Sequence, residues 1–255
     1  MANPIRLRYS YPNVKTKPSP PKNRLALITG ANRGLGLAIS ETLARHGCDL
    51  VITARDQQSL SAAARKLEKL NVYVLAQPCD VRDPASVDYL FTVIRQLRRP
   101  LDFLINNAGI AHPSRNLSDL PYPMWRDVID TNLTGTFLVT QAALAVMKRG
   151  SVIMNNLSVA AERVFPGSAA YCASKHGALG LTDTLREELR PKGIRVIALL
   201  PGATDTDIWS TMWPQAPRKK MMSAATVAQA AVNALLLPPD SVVEKILIRP
   251  QAGTL

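Results

Sequence analysis

Short apolar runs and longer apolar stripes alternate along most of this chain. The runs Leu25-Ala26-Leu27-Ile28, Leu50-Val51-Ile52, Val72-Tyr73-Val74-Leu75 and Leu101-Asp102-Phe103-Leu104-Ile105 have the length of strands. Between them Leu35, Ile39 and Leu43 recur at helical spacing, 59–70 reads as a second helix, and 84–97 as a third. Pro84 opens that third helix, where a missing N–H costs nothing. The series continues as a helix at 131–148, a strand at 151–155, a helix at 168–189, a strand at 195–200, a helix at 226–237 and a strand at 245–248. Strands apolar on both faces, each followed by a helix, predict a parallel sheet covered on both sides. The expected fold is α/β: a doubly wound parallel sheet of about seven strands in a single domain, 24–255. Residues 1–23 break the pattern. They carry Pro4, Pro12, Pro18, Pro20 and Pro21 among basic and polar residues, and read as a flexible arm.

Composition narrows the class. The chain has 255 residues, 47% of them hydrophobic, enough for one core. It contains no run of about 18 apolar residues, so no membrane span is expected. The N-terminal stretch has no apolar signal core, and the three cysteines, Cys48, Cys79 and Cys172, sit in apolar periodic segments. They read as reduced core thiols of a cytoplasmic protein, and neither they nor the scattered histidines have metal-ligand spacing. The net charge of +12 raises nucleic acid as a partner. Six of the basic residues lie between Arg6 and Arg24, the rest are spread over helices, and no reading motif is visible. A nucleic-acid role is therefore not expected.

Two stretches carry chemistry. The first is Thr29-Gly30-Ala31-Asn32-Arg33-Gly34-Leu35-Gly36, between the first strand and its helix. Gly30 permits a tight turn, while Gly34 and Gly36 let backbone approach a pyrophosphate at the helix N-terminus. The end of the second strand then selects the cofactor. It reads Thr53-Ala54-Arg55, without the carboxylate that usually holds an NAD ribose. Arg55, with Arg33, offers a cationic site for a 2′-phosphate, which favours NADP(H). The second stretch is Tyr171-Cys172-Ala173-Ser174-Lys175, with Ser158 at the end of a strand before it. Tyr171 and Lys175 are four apart, one turn along a helix face. A lysine beside a phenol stabilises the phenolate and makes it a usable acid or base nearer neutral pH. Ser158 could hydrogen-bond the same substrate oxygen.

With Asp80-Val81, Asn106-Asn107-Ala108-Gly109, Asn132, and Pro201-Gly202, these motifs make the chain resemble the classical short-chain dehydrogenases/reductases over residues 24–255. Within that family it is similar to NADPH-preferring carbonyl reductases and 3-oxoacyl-[acyl-carrier-protein] reductases. The departures are Leu157 in place of a common serine, and the arm at 1–23. The resemblance implies a Rossmann-type fold and reduction of a ketone or aldehyde, with Tyr171 as proton donor. Lys175 would lower the pKa of Tyr171 and hold the nicotinamide ribose, Ser158 would polarise the carbonyl, and Asn132 would hold a water leading to Lys175. The cofactor would be held by Gly30, Asn32, Arg33, Gly34, Leu35, Gly36, Arg55, Asp80, Val81, Asn107, Ala108, Gly109, Tyr171, Lys175, Pro201, Gly202, Thr204 and Thr206. The resemblance also implies a mobile substrate lid at about 203–224 and a homodimer or homotetramer built partly on the small residues of the 168–189 helix.

The lid holds Trp209, Trp213, Met212, Met221 and Met222, which suits an apolar or aromatic carbonyl compound, or simply packs the lid onto the core. Its basic trio Arg218-Lys219-Lys220 would instead suit an acidic carrier, making a 3-oxoacyl thioester the alternative substrate. A regulator that senses NADP(H) without catalysis is the other alternative, because a fold does not dictate activity.

Overall fold

The computed structural model describes residues 24–253; the arm placed at 1–23 lies outside them. Nine strands and eight α-helices follow in order. The first half runs β1 (Leu25–Thr29), α1 (Gly34–Arg45), β2 (Asp49–Thr53), α2 (Gln57–Glu68), β3 (Val74–Ala76), α3 (Pro84–Gln96) and β4 (Leu101–Asn106). Next come α4 (Tyr122–Ile129), a π-helical turn (Asp130–Thr134), α5 (Gly135–Ala143), β5 (Met147–Asn156), α6 (Ala169–Leu189) and β6 (Arg195–Pro201). The last part holds β7 (Thr204–Asp205), α7 (Trp209–Met212), β8 (Met222–Ser223), α8 (Ala224–Leu235) and β9 (Lys245–Ile248).

Seven strands form one sheet in the order β3-β2-β1-β4-β5-β6-β9, parallel at every pairing. Its strands are apolar on both faces because both faces are covered. Ile39, Leu43, Leu60, Val227 and Val232 of α1, α2 and α8 close one side. Leu90, Phe91, Val139, Leu185 and Leu189 of α3, α5 and α6 close the other. The strand order reverses between β1 and β4. That leaves a crevice outside their carboxyl ends, where open α/β sheets bind ligands. Among the described residues no helix is long and apolar enough to cross a membrane.

The helix expected at 131–148 is not one element. The chain makes α4, a π-turn and then α5, which stops at Ala143. α4 was hidden by Pro123, which sits in its first turn, where proline is tolerated. β5 starts at Met147, four residues early, and pairs Met147 with Leu101 before a register irregularity. The apolar run Leu144 to Met147 continues the helical stripe, so its periodicity alone cannot mark where helix ends and strand begins. Gly135 follows the π-turn for a steric reason: a Cβ there would lie 2.7 Å from Val81 Cγ2. The other boundaries move by one or two residues.

The glycine turn divides its labour differently from the expectation. Gly30 takes φ +63° and Gly34 φ +56°, both left-handed. Gly36 does not face the cleft. A Cβ there would meet Asn107 Nδ2 at 2.3 Å and the Gly30 carbonyl oxygen at 2.4 Å. Its smallness serves the packing of helix against turn. Gly36→Ala should therefore lower stability by about 1–3 kcal/mol, the usual cost of overpacking. Urea unfolding monitored by circular dichroism checks this; an unchanged midpoint would contradict the tight contact.

Candidate active site

The carboxyl ends of β1, β2, β4, β5, β6 and β9 open onto one cleft of about 1180 Å³. This is somewhat above the roughly 300–1,000 Å³ of a typical drug-sized site. It accommodates an extended ligand, such as a dinucleotide, beside a small one. Every residue proposed from sequence for cofactor or catalysis lines it except Gly36 and Asn132, which lie behind its wall.

Tyr171 and Lys175 stand one turn apart on α6, and both are buried. The Tyr171 hydroxyl is hydrogen-bonded to the Ser158 side chain. Lys175 Nζ lies 5.6 Å from the centre of the Tyr171 ring and donates to the Asn156 carbonyl at 2.9 Å. Burial pushes the phenol up to about 12, against the downward pull of the bond to Ser158. Burial pulls the Lys175 ammonium down from 10.5 to about 8. The lysine was expected to draw the phenol toward neutral pH; in this structure burial sets the direction, the bond to Ser158 is the opposing pull, and Lys175 donates to a backbone carbonyl instead.

Asn132 sits in the π-turn, 2% exposed. Its amide accepts from Ile110 N at 2.8 Å and donates to Ile110 O at 2.9 Å and to Ser174 Oγ at 3.0 Å. Its own carbonyl accepts from Thr136 Oγ1 at 2.9 Å. The side chain expected to hold a water is thus engaged in fixing the loop that follows β4.

Asn107 is more than a backbone contact. Its Nδ2 donates to Thr29 O at 2.9 Å and Gly30 O at 3.1 Å, and its Oδ1 accepts from Asn156 Nδ2 at 2.9 Å. Thr29 Oγ1 accepts from the N–H groups of Asn107 and Ala108, both at 2.9 Å. Beneath this, Asn106 Nδ2 donates to Asn155 Oδ1 and Thr140 Oγ1, and Asn155 Nδ2 to Thr182 Oγ1. These bonds lock α5, β4, β5 and α6 together. Asn156 was not singled out from sequence. The signal was there: two amides, Asn155-Asn156, end an apolar strand, and buried amides need partners.

At the other end of the cleft Ala54 is buried and Arg55 exposed. Arg33 reaches Asp207 across the mouth, 3.6 Å, with both side chains mostly exposed. Such a pair is worth little and readily exchanged. Asn32 Nδ2 donates to Ser59 Oγ at 3.0 Å, tying the turn to α2. Asp80 is gripped by Arg82, whose Nη2 lies 2.7 Å from Oδ2; these bonds hold the carboxyl below its usual range. Arg82 also reaches Asp127 of α4 at 3.1 Å. Val81 is buried, against Gly135. Pro201 and Gly202 close β6, and Thr204 Oγ1 donates to Gly202 O at 3.0 Å while Thr206 Oγ1 donates to Thr204 O at 3.4 Å.

The lid is pinned at both ends. β7 and β8 pair in parallel, Trp209 Nε1 donates to Thr204 O at 2.8 Å, and Arg218 donates to Asp205 Oδ1 at 2.7 Å and Thr206 O at 2.6 Å. Arg218 is therefore a staple, and only Lys219 and Lys220 of the basic trio remain exposed. Ile208 and Met212 pack against Ala160, Tyr171 and Cys172, while Trp213 is exposed and lines the cleft.

The sequence model of the short chain dehydrogenase family matches residues 24–217. A sepiapterin reductase of Chlorobaculum tepidum is 36% identical over 241 residues, covering 90% of this chain and 97% of that protein. An alcohol dehydrogenase of the archaeon Thermococcus sibiricus, solved with 5-hydroxy-NADP, superposes with a TM-score of 0.85 at 29% identity, over 92% of this chain and 99% of that one. A 3-ketoacyl-(acyl-carrier-protein) reductase of Brucella melitensis, solved with NADH, gives 0.80 at 26% identity, over 89% and 96%. The chain belongs to the short-chain dehydrogenase family of oxidoreductases.

The lysine provides a test of the site that needs no substrate. Lys175 should titrate near about 8, against 10.5 for an ordinary lysine. Nitrogen NMR of Nζ, assigned with a Lys175→Met variant, reads this directly; a midpoint at the ordinary value would mean the site is wetter than it is drawn.

Proposed function

We propose that this oxidoreductase reduces a ketone or aldehyde to an alcohol with NADP(H), using Tyr171 as the proton donor. The observation that carries this reading is the hydrogen-bonded Ser158–Tyr171 pair buried in the cleft wall, with Lys175 one turn away. The cofactor supplies the hydride when bound. The chain supplies the proton and its geometry. A phenol pushed up to about 12 is fully protonated at neutral pH, and so is loaded for donation. Ser158 orients the carbonyl oxygen toward it. The Lys175 ammonium stabilises the phenolate left behind, and it carries that charge below about 8. Asn132 acts through Ile110 and Ser174 as a positioning residue.

The residues fit the phosphorylated cofactor. Left-handed Gly30 and Gly34 open the turn for a pyrophosphate, and Ala54 places no carboxylate where a 2′-phosphate would go. Arg55 is exposed there, and Arg33 can exchange its weak pair with Asp207 for a phosphate. The neighbours described above carry an NADP derivative in one case and NADH in the other, so the assignment rests on these side chains. We also infer self-association through α5 and α6. Phe137 is 43% exposed on α5, but part of the small-residue stripe of α6 is used within the chain: Ala170 and Ala178 are buried, and a Cβ on Gly177 would lie 2.9 Å from Leu133 Cδ2.

Tyr171→Phe keeps the ring and removes the proton. Turnover should fall by at least ~10², the scale of a positioned acid, while cofactor binding persists. Near-normal turnover would refute the mechanism. Arg55→Ala should weaken NADPH binding roughly 10- to 100-fold, the value of a charge-assisted hydrogen bond, and leave NADH binding nearly unchanged. Adding Ala54→Asp should turn the preference toward NADH. The measurement is kcat/KM with both cofactors; an unmoved ratio would refute this reading of the strand end.

A further inference from the structure

The catalytic half of the cleft has a charge asymmetry. Three carboxylates line the cleft among the described residues, and all lie elsewhere and are engaged. Asp56 caps α2 through Ser59 N at 2.8 Å, Asp80 is held by Arg82, and Asp207 faces Arg33. Besides the buried Lys175 and the Arg33 and Arg55 of the proposed cofactor end, the cationic lining residues are Arg163 and Arg249. Both are exposed. Arg163 follows the short 3₁₀ turn Val159–Ala161 that Ser158 opens. Arg249 follows β9, whose last residue pairs with Pro201 of β6. A Cβ on Gly202 would lie 3.4 Å from Arg249 Cα and Cγ, which sets this arginine against the strand end that leads into the lid. Glu162, the nearest carboxylate in sequence, is 2.6 Å from Lys245 Nζ. Arg249 has no hydrogen-bond or ion-pair partner among the described residues, although each cleft carboxylate has one. The same cleft is also lined by the apolar side chains of Phe165, Met212 and Trp213.

We propose that the carbonyl compound reduced here is an anion, with its carboxylate or phosphate held by Arg249 and its apolar body on the apolar lining of the cleft and the lid. This rests on the carbonyl-reductase reading and names the substrate class of that site. A guanidinium fork matches such a group in two-point contact. The same arginine penalises a neutral substrate little, because it is exposed and hydrated. Charge is thus read mainly as KM and hardly as kcat, since the anion lies away from the reacting carbon and is bound alike in the ground and transition states.

Matched pairs test it with the full-length enzyme and NADPH. 4-Acetylbenzoate and 4-oxo-4-phenylbutanoate are compared with their methyl esters, and a 3-oxoacyl thioester of phosphopantetheine with its dephosphorylated form. The charged member of at least one pair should show kcat/KM about 10- to 100-fold higher, one or two charge-assisted bonds' worth. Arg249→Ala should collapse that ratio through KM and Arg249→Lys should restore part of it, with cofactor binding reporting that each variant is folded. The phosphopantetheine pair separates a phosphate source from a carboxylate source. Equal turnover of the charged and neutral members in every pair, or a ratio unmoved in Arg249→Ala, would overturn the charge assignment while leaving carbonyl reduction intact. No turnover of any ester or acid would overturn both.

Discussion

The amide of Asn107 is the constraint on which the site depends. On one side it holds the last carbonyl of β1 and the next one, that of Gly30 in the glycine turn, and on the other it receives Asn156, whose carbonyl holds Lys175. The proposed cofactor end and the proposed catalytic end are therefore joined by a single chain of short bonds running across three strands. The orientation of each amide is dictated by its neighbours. Two backbone carbonyls demand the Asn107 NH₂ group, so its oxygen must face Asn156, which must in turn present a donor. Such a chain fixes the orientation of each amide although Asn156 Oδ1 has no partner among the described residues, and removing a link leaves further buried polar groups unpaired.

The π-turn before α5 is the second organising feature. A helix that took no extra residue there would rotate Asn132 away from Ile110 and Ser174. The extra residue is accommodated because Gly135 lets the backbone rest on Val81 without a Cβ between them. π-turns lie frequently at functional sites, and here the turn aims a side chain that supports the loop under Lys175. Thr131 and Thr136 each return a hydroxyl to the carbonyl four residues back, Asp127 and Asn132, which helps satisfy the groups the turn disturbs.

The sheet was legible because a parallel sheet buried on both faces leaves a strong signal: Leu25 to Ile28 and Val152 to Met154 are each 0% exposed. The glycine turn, Ser158, Tyr171 and Lys175 were legible because each is a residue type with a specific use at a specific spacing. What stayed hidden is tertiary in origin. The π-turn depends on contact between Val81 and Gly135, 54 residues apart in sequence. Asn156 acquires its meaning only when β4 lies beside β5. The direction of the Tyr171 shift depends on how dry the cleft wall is, which spacing along a helix cannot reveal. Arg249 lies ninety-one residues after Ser158 and reaches the same cleft only because β9 pairs with β6.

The two short strands that bracket the lid have a consequence for how such an enzyme can change. β7 and β8 hold the two ends of the loop side by side, and Arg218 ties the inner turn to Asp205 and Thr206. The segment between them is a closed excursion whose ends do not move when its contents do. Closing a longer loop costs little, about 0.6 kcal/mol per doubling of length. Residues can be added, removed or replaced between 213 and 217 without disturbing the register of the main sheet, whereas Ile208 and Met212 pack against Tyr171. On the proposed reading, the loop that would select a substrate is set apart from the helix that carries the proposed proton donor, and exchanging that loop would refit one scaffold to other substrates.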